Sequence, residues 1–170
     1  DNPQLTDRTG LPRRRPLLRF LLDTHLRTPI PAKLVRSAAN DLLLLCGSAA
    51  SPKRIAALET RGAEVKIIPN HADRLSLPAV LAELAERDIL SLLLEGGPHL
   101  NGSFLRQDLV DKAILFYAPT ELGDQAIPFA EGVASPFLLE QSLQRATRTA
   151  FGPDTCVTGY LHNPWPESGP

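Results

Sequence analysis

The sequence predicts an α/β fold: a mixed, mostly parallel sheet flanked by helices, with an antiparallel hairpin at its carboxyl end. Three observations carry this. Short unbroken apolar runs such as DLLLLCG read as strands buried on both faces, because a strand with one wet face alternates. Between these runs lie segments with helix start and stop signals at both ends. The last third changes character: LQRATRTAFGPDTCVTGYLH alternates, is rich in Thr and turns at Gly-Pro-Asp, the pattern of a hairpin.

The elements follow in order. PLLRFLL, from Pro16 to Leu22 and closed by Asp23, is a first strand. LRTPIPAKLVRSA has two prolines and no clean period, which predicts a loop with one short helical turn. DLLLLCG is a second strand, closed by Gly47. SPKRIAALETRG is a helix: Ser51 suits its N-cap, Pro52 its first position and Gly62 its stop. Ile55 and Leu58 give that helix a modest buried face. AEVKIIP is a third strand. In SLPAVLAELAERD, Leu77, Val80, Leu81, Leu84 and Ala85 fall at i, i+3, i+4, i+7 and i+8, one apolar stripe. ILSLLLEGG is a fourth strand, HLNGSFLRQDL a third helix and KAILFYAP a fifth strand. The domain is expected over 1–162, with NPWPESGP, three prolines in its eight residues, as a poorly ordered tail over 163–170.

Composition bounds the function. The chain has 170 residues, 43% of them hydrophobic, enough for one domain with a real core. Its 18 basic and 19 acidic side chains give a net charge of −1, which argues against a bulk electrostatic nucleic-acid binder. The short basic run Arg13, Arg14 and Arg15 reads as a solvated loop. No apolar stretch approaches the roughly 20 residues of a membrane span. Cys46 and Cys156 lack the spacing of a zinc site or a disulfide framework, and suit a reducing, cytoplasmic compartment. The four histidines, His25, His71, His99 and His162, are too widely spaced to predict a metal site. Trp165 lies between prolines and carries no assignment.

Two stretches carry chemistry. In LLLEGGPHLNGSFL a buried strand is expected to run into glycines and then a helix. Ligands of open α/β sheets bind at that end of the strands. Helix-start amides and the positive end of the helix dipole favour an anion there. The GxGxxG spacing fails. Gly97 and Gly102 match the Walker spacing, but Ser103 follows where the motif needs Lys, so a triphosphatase is disfavoured. The remaining readings are a backbone cradle for a pyrophosphate and an ordinary strand-to-helix turn. Glu95, at the expected strand end, is an acid that burial would penalise without a partner. The second stretch, DNPQLTDR, combines a turn-initiating Asp-Asn-Pro with Arg8, whose planar fork suits a phosphate or carboxylate.

Taken together, these stretches resemble one family. DNPQLTDR is similar to its D-[DN]-P-x-L-T-x-R signature. RFLLDTHLRTP resembles R-x-x-L-D-x-x-L-R-x-P. LLLEGGPHLNGSFLRQDLVDKAILFYAPTELG resembles E-G-G-x-x-L…S-F-L…L-V-D…P…G. The family is the C-terminal reductase domain of the bacterial bifunctional riboflavin-biosynthesis deaminase/reductase, with the dihydrofolate reductase-like fold. The resemblance implies an NADPH-dependent oxidoreductase that converts 5-amino-6-(5-phosphoribosylamino)uracil to its ribitylamino product by opening the sugar and reducing its first carbon. It implies cofactor contacts at Asp1, Thr24, Gly97, Pro98, His99, Leu100, Asn101, Gly102 and Ser103. It implies substrate contacts at Leu5, Arg8 and Glu95, and it assigns no general acid. It further implies a homodimer, no metal, and a fused or separate deaminase, whose zinc-ligand set the chain lacks.

Against the family pattern the chain begins on the D-[DN]-P motif, so the expectation is a domain lacking the strand, covering loop and helix that usually precede it. Two other readings stay open: a related pyrimidine- or pterin-type reductase of the same fold, and a truncated, non-catalytic nucleotide-binding or assembly domain. Lys53 and Arg54 are candidates for a cofactor 2′-phosphate, against a solvated basic turn.

Overall fold

The central strand of the first sheet, β2 (Leu42–Cys46), is buried at every position, as its unbroken apolar sequence requires. In this computed structural model it lies between β1 (Arg19–Leu22) and β3 (Ala63–Ile67), both parallel to it, with Leu42 opposite Arg19 and Ala63. The structure describes residues 2–12, 16–123, 125–133 and 135–163.

Successive β2 side chains point to opposite faces, and each face meets its own apolar cluster. Leu42, Leu44 and Cys46 pack with Leu34 and Val35 of α1 (Lys33–Arg36) and Leu58 of α2 (Pro52–Glu59). Leu43 and Leu45 pack with Ile68, Leu75, and Val80 and Leu84 of α3 (Leu77–Glu86). A fully buried Leu of this kind contributes about 1.5–3 kcal/mol relative to its exposed state. A short hairpin, β4 (Asn70–His71) with β5 (Arg74–Leu75), leads into α3. The chain divides into two compact units between Ser91 and Leu92, and this sheet belongs to the first.

In the second unit α4 (Pro98–Arg106) precedes β6 (Lys112–Tyr117), α5 (Pro136–Gln141), β7 (Gln144–Phe151) and β8 (Asp154–Tyr160). The strand order is β6-β8-β7, all antiparallel. β7 and β8 form the expected hairpin, with Gly152 in the left-handed region at the turn. Its register shifts between Gln144 and Thr147, a bulge where Arg145 also has positive φ. Ala113, Leu115, Val157 and Leu139 of α5 form this unit's core, with Leu105 of α4 against it.

The α/β class, its parallel strands and its terminal hairpin are as the sequence predicts. Two expectations need correction. The first strand begins at Arg19 rather than Pro16, because its β2 partner starts only at Leu42; Leu17 and Leu18 are exposed. ILSLLLEGG is not a strand. It has no ladder partner among the described residues, and Leu90 and Leu93 are 97% and 71% exposed.

Candidate functional site

The glycine stretch does open a helix. Gly97 is the N-cap of α4 and Pro98 its first residue, where the missing N–H costs nothing. Asn101 N donates to Gly97 O at 3.0 Å. Among the described residues no side chain caps the turn, which leaves the early amides, His99 and Leu100, at the positive end of the helix.

The three glycines serve different purposes. Among the described residues a Cβ on Gly97 would meet nothing within 4 Å, so open space lies beside this glycine. A Cβ on Gly96 would fall 2.9 Å from Leu100 Cδ2 and 3.1 Å from Asn101 Oδ1. One on Gly102 would collide with Glu131 O and lie 2.9 Å from Glu131 N. Gly96 and Gly102 thus admit neighbouring protein, whereas Gly97 borders space that a ligand can use.

The helix side chains are largely engaged by the segment 129–132. Glu131 N donates to Pro98 O at 2.9 Å, and Asn101 Nδ2 donates to Phe129 O at 3.0 Å. His99 Nδ1 pairs with the Glu131 carboxylate, and Arg106 Nη1 donates to Glu131 O. Ser103 Oγ donates to the His99 carbonyl at 2.8 Å. This brace is not legible in the sequence, because its partners lie about thirty positions apart and the segment has no periodic pattern. Glu95 is exposed in irregular backbone rather than at a buried strand end, so the expected burial penalty does not arise.

In the first unit Thr24 and Gly47 stand just beyond the carboxyl ends of β1 and β2. Gly47 N donates to Thr24 O at 2.9 Å. A Cβ on Gly47 would fall 2.6 Å from Asn70 Oδ1 and 3.1 Å from Thr24 O, so glycine lets both approach closely. Next to Thr24, the Asp23 carboxylate accepts from Thr28 N at 2.7 Å and Thr28 Oγ1 at 2.6 Å. Burial pushes Asp23 upward, but these bonds, the Arg27 amide and the Arg27 charge outweigh it and hold the carboxyl below its usual range. The Cys46 thiol is pushed up by burial and then by Asp23. Arg54 donates to Leu26 O and Thr28 O, both at 2.6 Å. Its fork is therefore engaged by the loop after β1, which counts against it as a 2′-phosphate ligand; Lys53 remains exposed.

The motif arm, residues 2–12, has no regular secondary structure. Asn2 and Leu5 have φ of 50° and 53°. Asn2 Oδ1 accepts from Lys33 N at the start of α1, at 2.8 Å, and Leu5 packs against the core cluster of α1 and α2. Arg8 is exposed. Asp1 lies outside the described residues, as do Arg13, Arg14, Arg15 and Trp165. Gln4 O accepts from Arg19 Nη1 at 2.9 Å. Reading Arg19 as one position of an apolar strand missed this contact.

Among the described residues no group of three His, Cys, Asp or Glu side chains is placed to hold a metal ion, and no helix is long and apolar enough to cross a membrane.

Comparison with known proteins agrees with the motifs. A riboflavin biosynthesis protein RibD from Chlamydia muridarum is 36% identical over 75% of this chain and 34% of its own length. A 2,5-diamino-6-ribosylamino-4(3H)-pyrimidinone 5′-phosphate reductase from Aquifex aeolicus is 26% identical over 89% of this chain and 66% of its own length. The solved structure of Acinetobacter baumannii RibD superposes with a TM-score of 0.73 at 21% identity, over 94% of this chain and 43% of that one. The shared fold is thus the dihydrofolate reductase-like one. The chain spans less than half the length of these RibD proteins. The RibD C-terminal domain family matches residues 1–157, and the chain belongs to that family.

Proposed function

We propose that this chain is the reductase part of a riboflavin-biosynthesis enzyme. It reduces 5-amino-6-(5-phosphoribosylamino)uracil to the ribitylamino product with NADPH. Family membership over 1–157 and the names of its relatives support a reductase of a pyrimidine ribosyl phosphate. The observation that carries the cofactor assignment is the open space at Gly97, in front of a helix start that no side chain caps. A pyrophosphate fits that backbone by charge and by steric room.

In this reading Gly97 and the amides of His99 and Leu100 hold the cofactor pyrophosphate. Pro98, Asn101, Gly102 and Ser103 shape the first turns of the helix, and Asp1 and Thr24 are further cofactor contacts. A bound nicotinamide dinucleotide would supply the hydride. Leu5 contacts the substrate, the Arg8 fork binds its phosphate, and Glu95 accepts hydrogen bonds from its sugar or pyrimidine. Lys53 is the remaining candidate for the 2′-phosphate. The same reading takes 1–162 as the domain and a cytoplasmic homodimer as its working form.

A second substrate is favoured by one observation. The Aquifex relative is named for 2,5-diamino-6-ribosylamino-4(3H)-pyrimidinone 5′-phosphate, which still carries the amino group absent from the uracil. Turnover of both compounds, followed by NADPH absorbance, separates the two. Arg8→Ala should raise KM for either by about tenfold or more, since a phosphate loses a charge-assisted partner. Equal turnover of substrates with and without phosphate would overturn the role given to Arg8.

A further inference from the structure

Arg19 opens β1, yet its side chain is only 2% exposed. A buried guanidinium is retained only where it is well paired. Here the two ends of its fork do different work. Nη2 donates to Asp41 Oδ1 at 2.7 Å and Ser37 O at 2.9 Å, both on the segment between α1 and β2. Nη1 donates to Ser37 Oγ at 2.8 Å and to Gln4 O at 2.9 Å. Its Nε has no hydrogen-bond partner among the described residues. Arg19 N also donates to Asp41 O at 2.8 Å, fixing the base of the side chain.

One half of the fork is thus locked to the frame of the first unit, and the other bonds both that frame, at Ser37 Oγ, and the motif arm, at Gln4 O. The arm needs such a hold. It has no regular structure of its own, and Leu5, the residue after the bonded carbonyl, sits in the left-handed region, which is unfavourable for Leu. Arg8 follows three residues later. We propose that Arg19 is a positioning residue: by clamping the Gln4 carbonyl to the Ser37–Asp41 segment it sets where Leu5 and Arg8 present themselves to the phosphorylated substrate. The functional half of this rests on the substrate role proposed for Leu5 and Arg8. Lysine cannot replace Arg here, because a single ammonium lacks the fork that spans frame and arm.

The test uses the full chain with Arg19→Lys, and Ser37→Ala as the milder variant in which the Arg19–Asp41 pair stays intact. Amide hydrogen exchange over residues 2–8 reads the clamp without any reaction. It should accelerate about tenfold in Arg19→Lys, the loss of one charge-assisted bond, and less in Ser37→Ala. With the phosphoribosylamino-pyrimidine as substrate, KM should rise about tenfold, while kcat and the NADPH Kd change by less than about twofold. A merely structural role would instead lower thermal stability and active fraction with KM unmoved. Unchanged exchange of the arm in both variants, or accelerated exchange with unchanged KM in an active wild type, overturns the proposal. Should Arg19→Lys fail to fold, Ser37→Ala decides by the same two readouts. A wild type that turns over no substrate contradicts the proposed function instead, and exchange then decides the clamp alone.

Discussion

The two sheets bury their strands in opposite ways. In the first unit β2 is covered on both faces, with Leu44 and Leu45 wholly buried between two helical layers. In the second unit β6 alternates: Ala113 and Leu115 face the core, while Ile114 and Phe116 are 50% and 66% exposed. Phe116 meets only the similarly exposed Phe151 in the ring pairing of that face, at 6.1 Å between centroids. Every residue of β7 is exposed. The lesson is that apolar content alone does not locate the stabilising core. The central strand of a parallel sheet with helices on both sides buries every residue, whereas β6 of the antiparallel sheet buries only alternate ones.

The largest expected effect sharpens that contrast. Leu44→Ala should cost about 2–5 kcal/mol in denaturant unfolding, because it removes a buried side chain and leaves a cavity. Phe116→Ala should cost less than about 1 kcal/mol in the same measurement. Equal costs would break the comparison.

Next come the glycines of the second unit. Gly102→Val drives side-chain atoms into the Glu131 backbone and should destabilise by about 1–3 kcal/mol. Gly97→Val enters open space from a φ of −80°, so thermal melting should shift it by no more than about 0.5 kcal/mol. A large loss at Gly97 would mean that its role is folding rather than binding.

Acid tests the first unit. The Arg87 guanidinium bonded to Glu64 holds that carboxyl below its usual range. Burial pushes Glu83 and Asp41 upward, but Arg87 and Lys66 around the first, and Arg19 and the Ala39 amide around the second, bring both net downward. Asp23 behaves alike. These folded-state values lie below those of the unfolded chain. Their contribution is therefore complete above the ordinary carboxylate range near pH 4 and is lost as pH falls below it. Unfolding free energy should be flat down to about pH 5 and drop below about pH 4. Glu83→Gln should make that drop shallower, and an unchanged slope would contradict the network.

The smallest functional effect concerns Arg54. Its bonds to Leu26 O and Thr28 O predict that Arg54→Ala costs about 1 kcal/mol of stability. The ratio of NADPH to NADH affinity should stay unchanged. A shift toward NADH in calorimetric titration would return Arg54 to the cofactor.

Much of this was legible in the sequence, and the exceptions have physical causes. The helices α2, α3 and α4 announce themselves through Ser51-Pro52, Ser76 and Gly97-Pro98 and through their apolar spacing, which are local signals. β2 is readable because five consecutive apolar residues need cover on both sides. ILSLLL carries the same signal and was misread, because a strand is defined by its ladder and periodicity does not report a partner. α5 was missed although Ser135 and Pro136 mark its start; six residues are too few for a stripe to show. The glycine motif was correctly placed at a helix start. Which glycine faces space and which faces Glu131 depends on contacts distant in sequence, as does the burial of Arg19.

The open N-terminus of α4 at Gly97 is the proposed seat of a nicotinamide dinucleotide. Calorimetric titration of the full chain with NADPH and NADH, beside Gly97→Val, tests it most directly. NADPH should bind in the micromolar range, and that binding should be lost in a Gly97→Val protein of unchanged melting temperature. Binding of neither dinucleotide to the wild type, or equal binding to the variant, would contradict it.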